Sequence, residues 1–438
     1  MTDSKVWRPV QFLGSKLRVL DQVRAACTSG LDQSARVWDA FAGSSVVSQS
    51  FANDSRPVLA TDALASSVVF ARALLGIDRR AGNPLDLIPL VLDRANQVPV
   101  GSEWNSALAA ERVAIESRDA GALAILSRSL PQRWRREGAT QAQLHLFDAV
   151  DVAAHERTSA GPGLLSATYA GTYFGASQAV RMEQIRSAVT DLADEGSLDG
   201  WQTAAVLTAL SSAASRAVYS AGKHFAQPLR ISGSGFHSRR LLSDRAIDID
   251  LAFSAGMTEL NRAARPAGEH HEAEVAEAQT IEGARLAAMN IRSVYADPPY
   301  TAQQYSRFYH LLDVLVAGVP AELQVRSAQV TSGLYPAARY ASPFCSRTRA
   351  PAAFSALARN ARDADARLVV SYSVSARGSI GNARSIGLES LLEAIRAEYG
   401  RKNVALTELE LQYRQFNSSS RSSPTRNDVE VLIVGEPN

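Results

Sequence analysis

Apolar residues recur along this chain at two spacings, and the spacing changes with region. Toward both ends, short runs of strand formers alternate with stretches that carry an apolar residue every three or four positions. Residues 35–38 and 57–62 read as strands. Residues 17–26, with Leu17, Leu20, Val23 and Ala26 on one face, and 66–75 read as helices. Further strands are expected at 274–279, at 293–296 and at 367–373, and a terminal hairpin from 406–416 and 429–434. Between about 81 and 270 the pattern turns helical, most clearly at 113–130, 178–193 and 201–220, and no internal repeat is evident. Strands alternating with helices predict an α/β fold, its sheet split by a mainly helical insertion: 1–80, then 81–270, then 271–438.

The chemistry concentrates where the strand at Val294 and Tyr295 meets Asp297-Pro298-Pro299-Tyr300. Neither proline has an amide hydrogen, so the chain must leave the sheet at Asp297, which puts the acid at the carboxyl end of a strand. In open α/β sheets ligands bind at that edge. The prolines fix their own φ and hold their predecessors extended, which presents the carboxylate, nearby carbonyls and the Tyr300 ring rigidly. Two acceptors beside an aromatic face suit a planar base bearing an exocyclic amine.

Earlier segments add a second half to such a site. Phe12-Leu13-Gly14-Ser15-Lys16 is a small-residue loop leading into a helix, an anion-friendly arrangement with Lys16 as a point charge. The first strand leads into Asp39-Ala40-Phe41-Ala42-Gly43-Ser44-Ser45, an acid followed by a glycine turn and a helix, the layout that lets a backbone approach a nucleoside. About 20 residues on, Asp62 ends the second strand, where nucleoside-binding folds keep the carboxylate that takes ribose hydroxyls.

These motifs, in this order, resemble those of the amino-group DNA methyltransferases, in particular the adenine-N6 enzymes of the alpha group. The resemblance covers about residues 5–80 and 270–434, and the middle more loosely, through 169–179 and 222–228. It implies a Rossmann-like sheet ending in an antiparallel hairpin, with the insertion as the target-recognition region. It implies S-adenosylmethionine as cofactor, touched by Phe12, Gly14, Lys16, Asp39, Phe41, Gly43, Asp62, Asp297 and, from the third strand, Gln279. Asp297 and the carbonyl of Pro298 would orient the target amine, while Pro299 stiffens the turn and Tyr300 stacks on the flipped base. One departure stands out: Ser45 occupies the position of the loop's second glycine, and its Cβ disfavours positive φ. Either that turn keeps to an allowed region or cofactor affinity falls. The same acceptors fit N4 of cytosine; an inactive DNA-binding relative, or an RNA or protein substrate, are further alternatives.

Composition changes this picture little. Net charge is +2, too small to indicate a nucleic-acid partner, so a DNA surface must come from local clustering. Between 216 and 245 the basic residues Arg216, Lys223, Arg230, Arg239, Arg240 and Arg245 face the single acid Asp244, and Gly233-Ser234-Gly235 would let a loop approach a phosphate backbone. Arg421, in the Ser/Arg-rich stretch 417–427, is a further candidate. Duplex DNA is the expected partner, accompanied in that family by a restriction enzyme or another phage-defence component. The two cysteines, Cys27 and Cys345, have no metal-ligand spacing, and Glu269-His270-His271-Glu272 reads as a solvated helix start, so no metal is expected. No apolar run reaches membrane-spanning length and no signal-peptide core is present, so a cytoplasmic protein is expected.

Overall fold

The computed structural model describes residues 6–77, 82–159, 161–263, 265, 270–374, 384–413 and 426–437. Its centre is a seven-stranded sheet built from β1 (Arg36–Asp39), β2 (Val58–Asp62), β3 (Glu272–Val275), β4 (Ile291–Ala296), β5 (Arg367–Val374), β6 (Val404–Tyr413) and β7 (Arg426–Gly435). The strand order is β3-β2-β1-β4-β5-β7-β6. All pairings are parallel from β3 through β5, and β7 runs antiparallel to both its neighbours. The chain is therefore α/β with a mostly parallel sheet closed by an antiparallel hairpin. Its order reverses between β1 and β4, and such a switch point opens a crevice at the carboxyl ends of the strands.

Side chains alternate across the sheet with the period of two that strands require. Trp38, Leu59, Val294, Leu368, Val370 and Ile433 face the helices Ala350–Asp363 and Leu388–Tyr399. Val37, Val58, Ala60, Tyr295, Val369 and Leu432 face Leu20–Thr28, Val46–Asn53 and one side of Ala65–Leu75. The edge strand β3 carries exposed Glu272, paired with Arg36, and Glu274, paired with Arg285, charges that discourage pairing with another chain. Glu272 is thus in a strand, not at the start of a solvated helix.

The stretch between β2 and β3 is helical, as its periodicity predicts. The expected helix over 113–130 is two, Asn105–Glu116 and Ala120–Ser129: Arg118 takes a left-handed φ of 56°, and Asp119 caps the second by accepting from the Ala122 amide at 2.9 Å. The central helix, Gly200–Ala217, is alanine-rich and buried on nearly all sides. It packs against Ala65–Leu75, Ile249–Ala263 and Tyr305–Ala317, and Gly256 permits this because a Cβ there would meet the Ala209 backbone at 3.1 Å. One apolar core runs from the insertion into Phe70 and Leu74 on one flank and Phe308, Leu311 and Leu312 on the other. Exposing those side chains would cost roughly 1.5–3 kcal/mol each, a sum comparable to a domain's whole stability. Sequence position delimits the insertion, but its core is continuous with the rest of the protein. No helix among the described residues is long and apolar enough to cross a membrane.

Candidate active site

Three parallel strands end at one edge in acids. β1 ends at Asp39, opposite Tyr295 of β4 and Ala60 of β2, β2 ends at Asp62, and β4 ends at Ala296, one residue before Asp297. Backbone bonds continue the register into the loops: Ala40 donates to Tyr295 O and Ala42 to Thr61 O, both at 2.9 Å. Over this edge opens a cleft with about 820 Å³ of empty space, its mouth included. Phe12, Gly14, Lys16, Phe41, Gly43, Asp62, Asp297 and Pro299 line it, so residues far apart in sequence are brought together here.

The loop 12–16 is fixed by the helix that follows the two prolines. The Leu13 amide donates to Tyr309 Oη at 2.8 Å, and Phe12 stacks on Tyr309 with centroids 4.3 Å apart and planes within 1° of parallel. The helix after this loop begins at Leu20, three residues later than its apolar spacing predicts. Lys16 therefore presents no helix-terminal anion site. Its ammonium lies 3.0 Å from Asp297 Oδ1 and 2.8 Å from Glu430 Oε1 of β7, with 3% of its side chain exposed. Glu430, only 2% exposed, also accepts from Ser371 Oγ of β5. Burial would lower the lysine, but the two carboxylates outweigh it and hold the ammonium well above its ordinary value. Asp297, with 21% of its side chain exposed, is pushed up to about 6 by burial and by the charge of Glu430, against the pull of Lys16.

Asp62 is held by backbone, accepting from the Gly43 amide on Oδ2 and the Leu64 amide on Oδ1, each at 2.9 Å. Burial raises it to about 6. Gly43 has a φ of 52° and no room for a side chain, since a Cβ would lie 2.8 Å from the Phe12 ring. Asp39 does not line the cleft: it lies buried beneath it, accepts from Ser48 Oγ at 2.6 Å, and is raised to about 7 by burial and by its acidic neighbours. Gln279 lies outside as well, in the short turn Ala278–Thr280, and donates to Glu277 at 2.6 Å. Glu277 is the residue that reaches the cleft, with Tyr305, Tyr340 and Ser342.

Tyr300 does not line the cleft. Its ring carries the Arg384 guanidinium 4.8 Å from its centroid and meets Tyr372 at 5.5 Å. The Ser385 amide donates to Tyr300 O at 2.9 Å, holding that segment alongside.

Ser45 takes the left-handed conformation a glycine would favour, at φ 58° and ψ 22°, with a fully buried hydroxyl that has no hydrogen-bond partner. Left-handed strain of roughly 1–2 kcal/mol and an unsatisfied hydroxyl outweigh the ~0.5–1 kcal/mol of backbone entropy that glycine loses on folding. Ser45→Gly should therefore raise stability by about 1 kcal/mol; a lower midpoint in thermal or urea unfolding would contradict this.

The residues expected to meet DNA divide into two groups. Arg216, Arg230 and Arg239 are exposed. Lys223 is instead ion-paired with Asp244 at 2.9 Å and caps carbonyls of Arg216 and Val218, while Arg240 donates to Ser220 O at 2.6 Å and to Asp244 at 3.3 Å. Arg245 is buried and donates to the carbonyls of Thr172 and Tyr173. The stretch from Gly235 to Arg245 is a helix and not a phosphate-following loop. Gly233 serves packing, since a Cβ would lie 2.8 Å from the Gly121 backbone. Arg421 lies outside the described residues. The loosely matching stretches 169–179 and 222–228 meet each other: Tyr173 Oη donates to Phe225 O at 2.6 Å, which also accepts from His310 Nε2 at 3.0 Å.

Fold and cleft together define an α/β protein with a ligand crevice at the switch point of its sheet. No family model matches the chain, and no match was found among curated proteins.

Proposed function

We propose that this chain is an S-adenosylmethionine-dependent DNA methyltransferase acting on N6 of adenine. The observation that carries the reading is Asp297, ending a central strand between two rigid prolines and a buried ammonium at 3.0 Å, in a cleft shared with Gly43 and Asp62. The cleft fits the cofactor in position, at the carboxyl ends of the parallel strands where α/β folds bind ligands. It fits in charge: Asp62, Glu277 and Asp297 against one paired ammonium favour a cationic sulfonium. Asp62 suits the ribose hydroxyls, and Glu277 suits the adenine amine of the cofactor. The cofactor supplies an electrophilic methyl group.

The chain's part is binding, orientation and electrostatics. Lys16 engages Asp297 through Oδ1, which leaves Oδ2 to accept one amine hydrogen of a flipped adenine while the Pro298 carbonyl accepts the other. That pair orients the nitrogen for direct transfer, and the carboxylate stabilises the positive charge that develops on it. Tyr300 offers its ring for stacking once the base displaces Arg384 from it.

Calorimetric titration of S-adenosylmethionine tests the assignment of the cleft. Wild type should bind, and Asp62→Ala should raise the dissociation constant at least about tenfold, since a charge-assisted hydrogen bond contributes roughly 1.5–3 kcal/mol. No binding by wild type, or equal affinity in the variant, would overturn it.

A further inference from the structure

A second cationic feature lies beside the cleft, in the segment that follows the helix Tyr305–Ala317. Residues 326–349 contain Arg326, Arg339, Arg347 and Arg349 and no acid. The segment opens in a two-stranded ribbon, Val325–Arg326 against Gln329–Val330, which turns through Ser327 and Ala328 at φ 48° and 62°. It then passes Tyr335 and reaches Tyr340 and Ser342 in the cleft wall.

Arg307, on the first turn of the helix Tyr305–Ala317, meets this segment. Its Nε donates to Tyr335 Oη at 2.7 Å, and the guanidinium carbons of Arg307 and Arg339 stand 5.1 and 4.9 Å from the Tyr335 ring centroid. Burial lowers Arg339 most, Tyr335 opposes this, and the nearby charges of Arg307 and Arg326 lower it further, so Arg339 stands among like charges, two of the guanidiniums sharing one phenol ring. Among the described residues no carboxylate pairs with any of them, and Arg339 Nε is buried without an acceptor. Other arginines are satisfied by acids, as at 36, 94, 133, 136 and 181, or by backbone carbonyls, as at 186 and 245.

Clustered, mutually repelling guanidiniums with an unmet donor are stabilised by an external anion, and the planar fork of arginine matches phosphate oxygens. Thr331 and Ser332 add neutral hydroxyls on the same segment. The groove against Arg339, which Asp313 and Glu322 also line, shares Leu64, Ser306 and Tyr340 with the cleft, so an anion held on its arginine side lies next to whatever enters the cleft. Resting on the methyltransferase reading, we propose that Arg307, Arg326 and Arg339 form a cradle for the phosphodiester backbone of duplex DNA beside the displaced nucleotide. The cradle holds the strand in register by its phosphates and leaves base recognition to other residues. It complements Arg216, Arg230 and Arg239, because 224–227 is bonded to this region through Phe225–Phe308 and Gln227–Ser332.

The test is fluorescence anisotropy with a labelled duplex across a salt series, using the full chain. Arg326→Gln removes an exposed charge, and should flatten the slope of log K against log salt by about 0.9. The triple variant with Arg307→Gln and Arg339→Gln should flatten it by about 2.7, with S-adenosylmethionine affinity unchanged by calorimetry. If wild type binds duplex and both variants keep its slope, the cradle is refuted while the methyltransferase reading stands. If wild type binds no duplex at any salt, both fall.

Discussion

Replacing Asp297 by Ala should lower the single-turnover rate of methyl transfer at least about a hundredfold, while S-adenosylmethionine binding and the unfolding midpoint change little. The side chain is at the end of a strand and outside the apolar core, so its loss leaves the sheet intact. Losing a positioned acceptor in a shielded site removes on the order of 3 kcal/mol or more of transition-state stabilisation. The pH dependence follows from the same geometry. The ionised carboxylate both accepts the amine hydrogen and stabilises the positive charge developing on the nitrogen, which the neutral acid does far less well, and burial together with Glu430 raises Asp297 to about 6. The rate should climb about tenfold per unit as pH rises toward that value and level off above it. The other groups that face Asp297 are Lys16, held charged, and Tyr295, Tyr300 and Tyr305, all raised by burial and therefore neutral across this range; Asp39 titrates near 7 but is a weaker neighbour. Glu430→Gln removes a like charge, so its profile should shift to lower pH; an unshifted profile would separate Glu430 from the chemistry.

Lys16→Met should be the most damaging single change to stability, costing about 3–5 kcal/mol. It leaves Asp297 and the nearly inaccessible Glu430 without their shared counter-ion, and stranding buried charge is far more costly than losing a surface pair. The double variant Lys16→Met with Glu430→Gln should recover part of that loss, because the stranded charge of the buried Glu430 is then removed as well. Denaturant unfolding of the four proteins reads this as a coupling energy. Additive losses would mean that the ion pairs contribute nothing beyond their separate contacts. In Lys16→Met the pH profile should move up, opposite to the Glu430 variant, since the cation that draws Asp297 down has gone.

The frame of this fold was legible because strands buried on one or both faces leave plain apolar runs, and because Asp297-Pro298-Pro299 states where a strand must stop. The terminal hairpin and the helices at 176–194, 200–217 and 305–317 were readable for the same reason. Local spacing failed where tertiary contacts decide. Nothing in the periodicity of 113–130 marks the reversal at Arg118, and Gly233 looks like a loop glycine until Gly121 is seen against it. Lys16 was recognisable as a site residue, but its partners were not, since Glu430 lies more than 400 residues away in the chain. One signal was present: Glu430 is the one acid in the otherwise apolar run 429–434, and a lone charge there must find a buried partner. Glu277 was missed by two positions, because a short turn after β3 brings the acid and not the amide to the cleft. The cradle at Arg307, Arg326 and Arg339 escaped a search for dense basic runs because its members come together only across a helix and a ribbon.

The most direct measurement is nucleoside mass spectrometry, with base-resolved sequencing of modified positions, on DNA from cells producing either the wild-type chain or Asp297→Ala. Wild type should leave N6-methyladenine at a fixed sequence context, and the variant should leave none. Equal modification in both samples, or no modified adenine with a wild-type chain that binds S-adenosylmethionine and duplex, would contradict it.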